Sequence, residues 1–314
     1  MRTRKLWLAF SVLAFLLCPE HLPAQQGSQQ SCDVPLVVAG FNTQTRESNQ
    51  MLLDLHPEDL VVHVGSDEGI VESIKVDGGP KRVALILDPS RNVPDEEWIL
   101  EAEMAARMVE IARPDDKFLI FLEGIERPQE RFLTPEETDR LLRAMTFDRP
   151  STSDSTERAY DTLFDAARRM EPPAFGDALI LFGPAEDTGS KTDPDQLLEL
   201  ILRNRQRLFG VRFRDPLGDP KLDKISRETG YFFSFHQIEA LKLPYQMTLL
   251  DGFMSDVYGW IAQPYRLRIR PVPAKDAARL RVEVMNSEGR VPRADTLYYP
   301  HTIYPCSDSG STAQ

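Results

Sequence analysis

Five short apolar runs, separated by amphipathic segments, constrain the fold of this chain more than any other feature of its sequence. The runs are VALILD, KFLIFLEG, DALILFG, LFGVRF and YFFSF, and they lie between residues 83 and 235. Runs of this length and polarity are typical of parallel strands that are buried on both faces. The intervening segments carry apolar residues at helical spacing, so strands and helices alternate along the chain. This order predicts an α/β fold, a doubly wound and mostly parallel sheet flanked by helices, over residues 80–262.

Several helices of this region begin with recognisable N-terminal signals. Thr134 opens a capping box in the segment TPEE, with proline at the first helical position. Asp193 and Asp219 each precede a proline in the same way. The last helix of the region is predicted over residues 237–262, with an interruption at Pro244.

The segments on either side of the α/β region have the patterns of short strands. In the N-terminal segment the strands are broken by glycine and aspartate turns, and in the C-terminal segment polar and apolar residues alternate at a period of two. The two segments comprise residues 25–79 and residues 263–306, the latter including YRLRIRP, ARLRVEVMN and DTLYYPHT. These patterns predict a small antiparallel β subdomain built from both ends of the chain. Residues 307–314 are expected to form a disordered tail, because they are polar and lack periodicity.

The first residues of the chain have the order of a secretory signal peptide. Three basic residues precede an apolar stretch that ends near Leu17, and Pro23-Ala24 then precedes a polar run. We expect cleavage after residue 24 and a periplasmic or secreted mature protein of about 290 residues without a membrane span. An uncleaved membrane anchor is the alternative for this segment.

Two cysteines remain in the expected mature chain, Cys32 and Cys306, close to its two ends. An even number of cysteines in an exported protein indicates a disulfide. In the chain-entropy model a bridge across so long a loop stabilises the fold by about 4–5 kcal/mol. Two separate thiols, free or buried, are the alternative interpretation.

The net charge of −12 argues against nucleic acid or an anionic membrane surface as the main partner. Nucleotide binding is also disfavoured, because FGPAEDTGSKT places five residues between Gly183 and Gly189 where a phosphate-binding loop has four. The sequence has no serine nucleophile elbow, and its histidines are dispersed. We therefore predict that the chain is not an enzyme.

Polar residues follow two of the predicted strands at the edge where an α/β sheet binds its ligands. Asp88 comes directly after the first buried strand, and Gly183 follows the third. In doubly wound sheets, ligands bind beyond the carboxyl ends of the strands. This edge is therefore where the sequence predicts a site.

Three segments at this edge resemble the loops of a known family. LILDPSRN, residues 85–92, is similar to the first metal-site loop of a von Willebrand factor type A domain, whose pattern is Asp-x-Ser-x-Ser after a buried strand. TERAYDTLFDAA, residues 156–167, is similar to the segment of the second loop, and ALILFGPAEDTGSKT, residues 178–192, to the third. The flanking β segments resemble those of exported, von Willebrand A-related bacterial proteins of a type abundant in acidobacteria. The resemblance covers nearly the whole mature chain.

The resemblance implies a Mg²⁺-type ion held by oxygen ligands, with one position open for a carboxylate of a protein partner. On this chain the candidate ligands are Asp88, Ser90, Asn92 and Thr156. Asn92 stands where the family has a second serine, and Thr156 lies one residue further from the following helix than in the family. Pro184 aligns with the second aspartate of the family and has no side-chain oxygen. The resemblance therefore predicts a degenerate metal site, with Mg²⁺ as its candidate ion.

Each of these polar residues also has an explanation that involves no ion. Asp88 can accept backbone N–H groups of its own turn, and Asn92 can serve as a turn residue before the next helix. Glu157 and Asp161 place negative charge near a helix N-terminus, which is favourable. Asp187 would reach an ion only if its loop refolded. The sequence leaves these alternatives open.

Taken with the resemblance, these features predict an exported, non-enzymatic module for protein binding, adhesion or assembly. Its partner would be an extracytoplasmic protein, bound at the loop edge formed by residues 88–95, 151–158 and 184–192. The residues predicted to contact the partner are Arg91, Glu157, Glu186 and Asp187. A structural cell-envelope scaffold that self-associates is the alternative, and a secreted hydrolase ranks third. The sequence does not determine the oligomeric state.

Overall fold

The protein was analysed as a computed structural model. The structure describes residues 30–42, 47–51, 53–125, 131–150, 157–212, 219–234, 246–273, 275–285 and 296–306. The predicted signal peptide, the predicted C-terminal tail and the predicted helix interruption at Pro244 lie outside these ranges. Within them, every helix is too short or too polar to cross a lipid bilayer.

The secondary structure consists of strands β1–β13 and helices α1–α6. The strands are β1 (Cys32–Asn42), β2 (Glu47–Met51), β3 (Leu60–Val64), β4 (Asp67–Val76), β5 (Arg82–Leu87), β6 (Lys117–Leu122), β7 (Ala178–Phe182), β8 (Arg207–Arg212), β9 (Tyr231–Ser234), β10 (Tyr265–Arg270), β11 (Ala278–Val284), β12 (Thr296–Tyr298) and β13 (Thr302–Ile303). The helices are α1 (Asp95–Glu110), α2 (Pro135–Phe147), α3 (Ala159–Arg169), α4 (Pro194–Arg203), α5 (Pro220–Thr229) and α6 (Gln246–Ala262).

Five strands form a parallel sheet in the order β6-β5-β7-β8-β9. The chain leaves β5 to form β6 on one side and then crosses back to form β7 on the other. β5 is therefore the switch point of the sheet, where a crevice opens at the carboxyl ends of the strands. A single antiparallel bridge between Phe118 and Leu133 adds to the β6 edge. The parallel sheet with its helices confirms the predicted α/β class.

Helices cover both faces of this sheet, as expected for strands that are apolar throughout. Along β5, Val83, Leu85 and Leu87 belong to the apolar layer that includes α1 and α6. Ala84 and Ile86 belong to the layer that includes α3, α4 and α5. These five side chains are 0% exposed, because successive residues of a strand point to opposite faces and both faces are covered. Each large buried side chain contributes about 1.5–3 kcal/mol to stability.

A second sheet is antiparallel and joins the two ends of the chain. Its order is β12-β1-β10-β4-β3-β11-β13, with β2 also paired to β1. Cys32 of β1 lies opposite Ile269 of β10, and a disulfide links Cys32 to Cys306 with the two Cα atoms 5.8 Å apart. The predicted disulfide is therefore present. Among the described residues this sheet has eight strands, and both terminal segments contribute to it, as the sequence predicted.

The two sheets meet at the amino ends of the parallel strands. Lys81 is 1% exposed, and its Nζ donates to Asp77 Oδ2 at 2.7 Å and to the carbonyl of Gly79 at 2.6 Å. The buried Arg207 guanidinium, at the start of β8, donates to the carbonyl of Trp260 in α6 at 2.9 Å. Buried cations are tolerated here because backbone and carboxylate oxygens surround them. The amino edge is thus occupied, and the carboxyl edge of the parallel sheet lies at the opposite end.

Candidate functional site

Asp88 lies at the carboxyl end of β5, directly at the switch point. Its side chain is 2% exposed, and Oδ1 accepts the N–H of Ser90 at 2.8 Å. This contact is the turn interaction proposed from the sequence as the alternative to metal binding. Burial raises the pKa of the Asp88 carboxyl, and the hydrogen bond from the Ser90 N–H and the charge of Arg149 oppose that rise. The loop after β5 is therefore closed by its own aspartate.

The other predicted ligands differ from Asp88 in burial and in hydrogen bonding. Ser90 is 3% exposed, and its Oγ has no hydrogen-bond partner among the described residues. The exposed Asn92 directs its Nδ2 toward Glu157 Oε1 at 3.5 Å, a long contact. Thr156 lies outside the described residues, so its predicted role as a ligand stays a prediction.

Three buried glutamates lie beneath this loop. The sequence pattern identified only Glu157 among them as a candidate site residue. Glu101 of α1 is 0% exposed, Glu123 after β6 is 4% exposed, and Glu157 before α3 is 5% exposed. The Asp88 N–H donates to Glu101 Oε2 at 3.1 Å, and the Arg158 N–H donates to Glu123 Oε2 at 3.2 Å. We call Asp88 and these three glutamates the acid cluster.

Desolvation dominates the electrostatics of the acid cluster. Burial raises the pKa of Glu101 and of Glu123 well above the usual value, and neighbouring carboxylates of the cluster raise both further. Burial also raises the pKa of Glu157, with the charge of Glu186 adding to it. Carboxyl groups in such surroundings favour the protonated form, which weakens their ability to ligate a cation.

The sequence carried a signal for both glutamates that was missed. Glu101 lies three residues after Trp98 and four before Ala105, so it falls on the apolar stripe of its helix. Glu123 ends an apolar strand in the same way as Asp88 does. An acid on a buried stripe or at a buried strand end is a sequence signature of a buried carboxyl group.

Gly183 provides the space that Glu101 occupies. Its φ is +114°, a value that residues with a side chain rarely adopt. A Cβ atom at this position would lie 2.7 Å from Glu101 Oε1. The glycine after β7 is thus required both by its backbone conformation and by the carboxylate packed against it.

The third loop uses its acidic side chains to organise the start of α3. Asp187 accepts the N–H of Tyr160 at 3.0 Å and the N–H of Ser190 at 3.1 Å. Asp161 accepts the N–H of Thr192 at 2.8 Å from the same loop. Asp187 thus satisfies an N–H group at the N-terminus of α3, whereas Asp161, in the first turn of α3, accepts N–H groups of the loop after β7. Asp187 has not moved toward Asp88, and Pro184 supplies no oxygen in its place.

A single arginine ties the loop after β5 together from the outside. Arg149, two residues after α2, donates to the carbonyls of Pro89 at 3.1 Å and Val93 at 2.9 Å, and also to that of Ser90. The same guanidinium lies 5.4 Å from the centre of the Trp98 ring. Charge-assisted bonds to three carbonyls of one loop restrict its conformation.

The described residues bring few of the oxygen ligands that Mg²⁺ prefers to this edge. Mg²⁺ takes near-octahedral oxygen ligands, several of them anionic. The buried Oγ of Ser90 is free to coordinate, but Asp88 is engaged by the loop N–H and Pro184 stands where a second carboxylate would be needed. Across the part of the chain that the structure describes, no group of three or more His, Cys, Asp or Glu side chains is placed to hold a metal ion.

The outer surface of the edge is formed by fewer of the predicted contact residues than expected. Arg91 and Glu186 are exposed, and Asp187 is partly exposed. Glu157 is buried, because it turns inward to join the acid cluster and the bridge between Arg158 and Asp187 covers it. Its assignment as a partner-contacting residue is therefore corrected.

Among known proteins, similarity to this chain is found with solved structures. No protein-family model matches the chain, and no curated protein matches it in sequence. A von Willebrand factor type A protein from Catenulispora acidiphila is similar in structure, with a TM-score of 0.47 and 10% identity over 90% of this chain and 76% of that one. Proximal thread matrix protein 1 from the mussel byssus has a TM-score of 0.46 and 16% identity over 62% of this chain and 50% of its own.

A third similar structure covers a smaller share of this chain. It is an aerotolerance-related membrane protein from Bacteroides fragilis, with a TM-score of 0.41 and 11% identity over 56% of this chain and 99% of that one. The parallel sheet and its two helical layers have the α/β arrangement that the sequence predicted.

Proposed function

We propose that this chain is an exported, non-enzymatic, protein-binding or assembly module of the von Willebrand A-like kind, with a degenerate metal site. Its partner surface is the carboxyl edge of the parallel sheet, formed by the loop after β5 and the loop after β7. The partner is an extracytoplasmic protein. The Cys32–Cys306 disulfide supports an oxidising compartment.

The observation that carries this proposal is the way Arg149 and Asp88 hold the edge loop. Arg149 binds three carbonyls of the loop from outside, and Asp88 accepts the Ser90 N–H from inside. A loop that is already ordered loses little conformational entropy when a partner binds. The protein's own groups thus perform the ordering that an ion performs in an intact metal site.

The exposed charges of the edge provide the test. Glu186→Arg reverses one exposed charge of the loop after β7, and Glu68→Arg makes the same change on exposed β4 of the antiparallel sheet. Partner capture from the native extracytoplasmic fraction is compared by quantitative mass spectrometry for both variants and the parent protein. The proposal expects a partner that Glu186→Arg loses and Glu68→Arg retains, with or without chelator. Equal capture by all three proteins would remove the edge as the partner surface.

One observation favours the alternative of a self-associating envelope scaffold. The antiparallel sheet exposes Ile70 by 50% and Val76 by 37% on β4. Exposed apolar side chains mark contacts between protein surfaces where they form a contiguous patch. Sedimentation of the purified protein tests it: a concentration-dependent oligomer that Ile70→Ser abolishes would favour the scaffold over the partner-binding module.

A further inference from the structure

A cleft of about 440 Å³ lies between the loop after β5 and the segment after α2. Its apolar walls are Pro89, Pro94 and Pro150, with Val93 between them. Proline side chains are rigid and their nitrogens donate no hydrogen bond. The walls are therefore preformed and suited to apolar contact, and any hydrogen bonds to a ligand must come from the charged residues of the cleft.

The charged residues of the cleft are two arginines and one aspartate. Arg149 directs its donors to loop carbonyls and to Asp95 Oδ1 at 3.1 Å, so its contribution is mainly positive potential. Arg91 is exposed and has no ion pair within the described ranges. Its guanidinium therefore has donors available, in the planar arrangement that matches a carboxylate.

This local charge is opposite to that of the molecule. The chain has a net charge of −12, whereas the cleft presents two cations against the carboxylate of Asp95. A positively charged surface attracts an anionic ligand and repels a cationic one. An anionic segment fits the cleft, and a basic one does not.

A large aromatic side chain lies close to the cleft along the chain. Phe147, the last residue of α2, precedes Arg149 by two residues and is 92% exposed. Aromatic residues are enriched in the buried centres of protein interfaces, where they contribute strongly to affinity. The segment that carries Arg149 and Pro150 into the cleft thus also carries an exposed aromatic side chain.

We infer that this cleft binds an extended acidic segment of the partner protein. A carboxylate of that segment pairs with Arg91, and an adjacent apolar side chain packs on the proline walls and Phe147. The inference rests on the proposed function, since it assigns the chemistry of the partner at the proposed edge.

Peptides of defined sequence test the inference on the purified protein by nuclear magnetic resonance titration. The probe is acetylated and amidated Gly-Phe-Asp-Glu-Phe-Gly, and the control peptide is the isosteric Gly-Phe-Asn-Gln-Phe-Gly. We expect the acidic peptide to shift the backbone amides of Arg91 and Val93, with at least about tenfold tighter binding than the control. Arg91→Glu should weaken the acidic peptide by about tenfold or more, because it replaces attraction by repulsion.

Arg227→Glu is the matched control variant, because Arg227 is 68% exposed on α5 at the opposite face of the sheet. It should leave peptide binding unchanged. Equal binding of both peptides, or equal affinity in Arg91→Glu and the parent protein, would overturn the inference, and so would a dimer that Arg91→Glu dissociates. If Arg91→Glu has no effect on peptide binding but Glu186→Arg abolishes partner capture, the proposed function stands without this cleft. If neither Arg91→Glu nor Glu186→Arg has an effect, the inference and the proposed function both fail.

Discussion

At the residue scale, Arg149 determines the shape of the loop after β5. Its guanidinium has five N–H groups, and contacts to three carbonyls, to Asp95 and to the Trp98 ring engage most of them. The side chain is 19% exposed, so these contacts are partly shielded from water. Such contacts contribute more to stability than exposed ion pairs of the same chain do.

We expect Arg149→Ala to reduce the free energy of unfolding by about 2–3 kcal/mol, because three loop carbonyls lose a charged donor. Arg140→Ala removes an exposed ion pair with Glu136 on α2 and should cost less than about 0.5 kcal/mol. Urea unfolding of the two variants measures the difference. Equal losses for both would show that Arg149 does not order the loop.

Gly183 makes a second prediction at this scale. Gly183→Ala is expected to cost about 1–3 kcal/mol, because φ of +114° strains any side chain and the new Cβ would press on Glu101 Oε1. Gly252→Ala on α6 is the matched control, since no atom lies within 4 Å of its Cβ position and alanine favours the helix. Thermal unfolding should show a lower melting temperature for the first and an equal or higher one for the second. A tolerated Gly183→Ala would contradict the packing described for Glu101.

The site residues show what the sequence can predict at this scale and what it cannot. Asp88 was located correctly at the carboxyl end of a buried strand, because a strand that ends on a polar residue can be recognised from the sequence alone. Glu157 was assigned to the surface, since nothing in its own sequence shows that the chain turns it inward. Arg149 was not singled out at all, because it reaches the loop after β5 from a segment about sixty residues away.

At the scale of elements, the acid cluster joins four of them. Asp88 follows β5, Glu101 lies on α1, Glu123 follows β6 and Glu157 precedes α3. Burial raises the pKa of each of the four. The packing of these four elements against one another therefore depends on pH. It depends on the protonation of carboxyl groups that become buried only when the elements come together.

The raised pKa of Glu123 determines whether stability rises or falls with pH. Its pKa is raised above the usual 4.5 in the folded protein, so the folded state binds more protons than the unfolded state above pH 4.5. The favourable contribution is complete below pH 4.5 and is lost as the pH rises through the folded-state pKa. Glu123→Gln keeps an acceptor for the Arg158 N–H and removes the charge. We expect it to raise stability at neutral pH and to flatten the decline of stability with rising pH.

Glu137 is the matched control, with the opposite sign. The hydrogen bond from Arg131 lowers its pKa to about 2, so its contribution is present above pH 4.5 and is lost as the pH falls toward 2. Urea unfolding of Glu123→Gln and Glu137→Gln between pH 3 and pH 8, at about one-unit intervals, separates the two effects. An unchanged slope above pH 4.5 in Glu123→Gln would contradict the protonation described for the cluster.

Element types were predictable from the sequence, and element ends were less so. The five buried strands and the capped starts of α2, α4 and α5 agree with the structure, because apolar runs and capping residues act locally. The apolar run LFGVRF covers residues 208–213, but strand β8 begins one residue earlier, at Arg207. Arg207 is buried there although it is charged, and its guanidinium donates to the Trp260 carbonyl of α6.

At the scale of the whole molecule, the ends of the chain are joined twice. β1 pairs with β10 from Cys32 to Leu36, and the disulfide closes the same region with Cys306. The pairing of two segments so distant in sequence could be suspected from the two cysteines, but its register could not. Register depends on which residues meet across the sheet, and the sequence of one strand does not contain that information.

Replacing both cysteines by serine is expected to lower the free energy of unfolding by up to about 4–5 kcal/mol, because the unfolded chain regains the freedom of a very long loop. Reductant should bring the parent protein toward the same value and leave the double variant unchanged. Urea unfolding with and without dithiothreitol measures both. A parent protein that is insensitive to reductant after full reduction of the bridge would show that strand pairing alone holds the ends.

The central claim concerns the whole molecule, namely that its carboxyl edge is ordered by protein groups and acts without a divalent ion. The most direct measurement is the melting temperature of the purified protein in Mg²⁺, in Mn²⁺ and in excess chelator, with Asp88→Ala as the companion variant. The account predicts the same melting temperature in all three conditions, because Arg149 and Asp88 already satisfy the loop. A rise in Mg²⁺ or Mn²⁺ that chelator reverses and Asp88→Ala abolishes would contradict it.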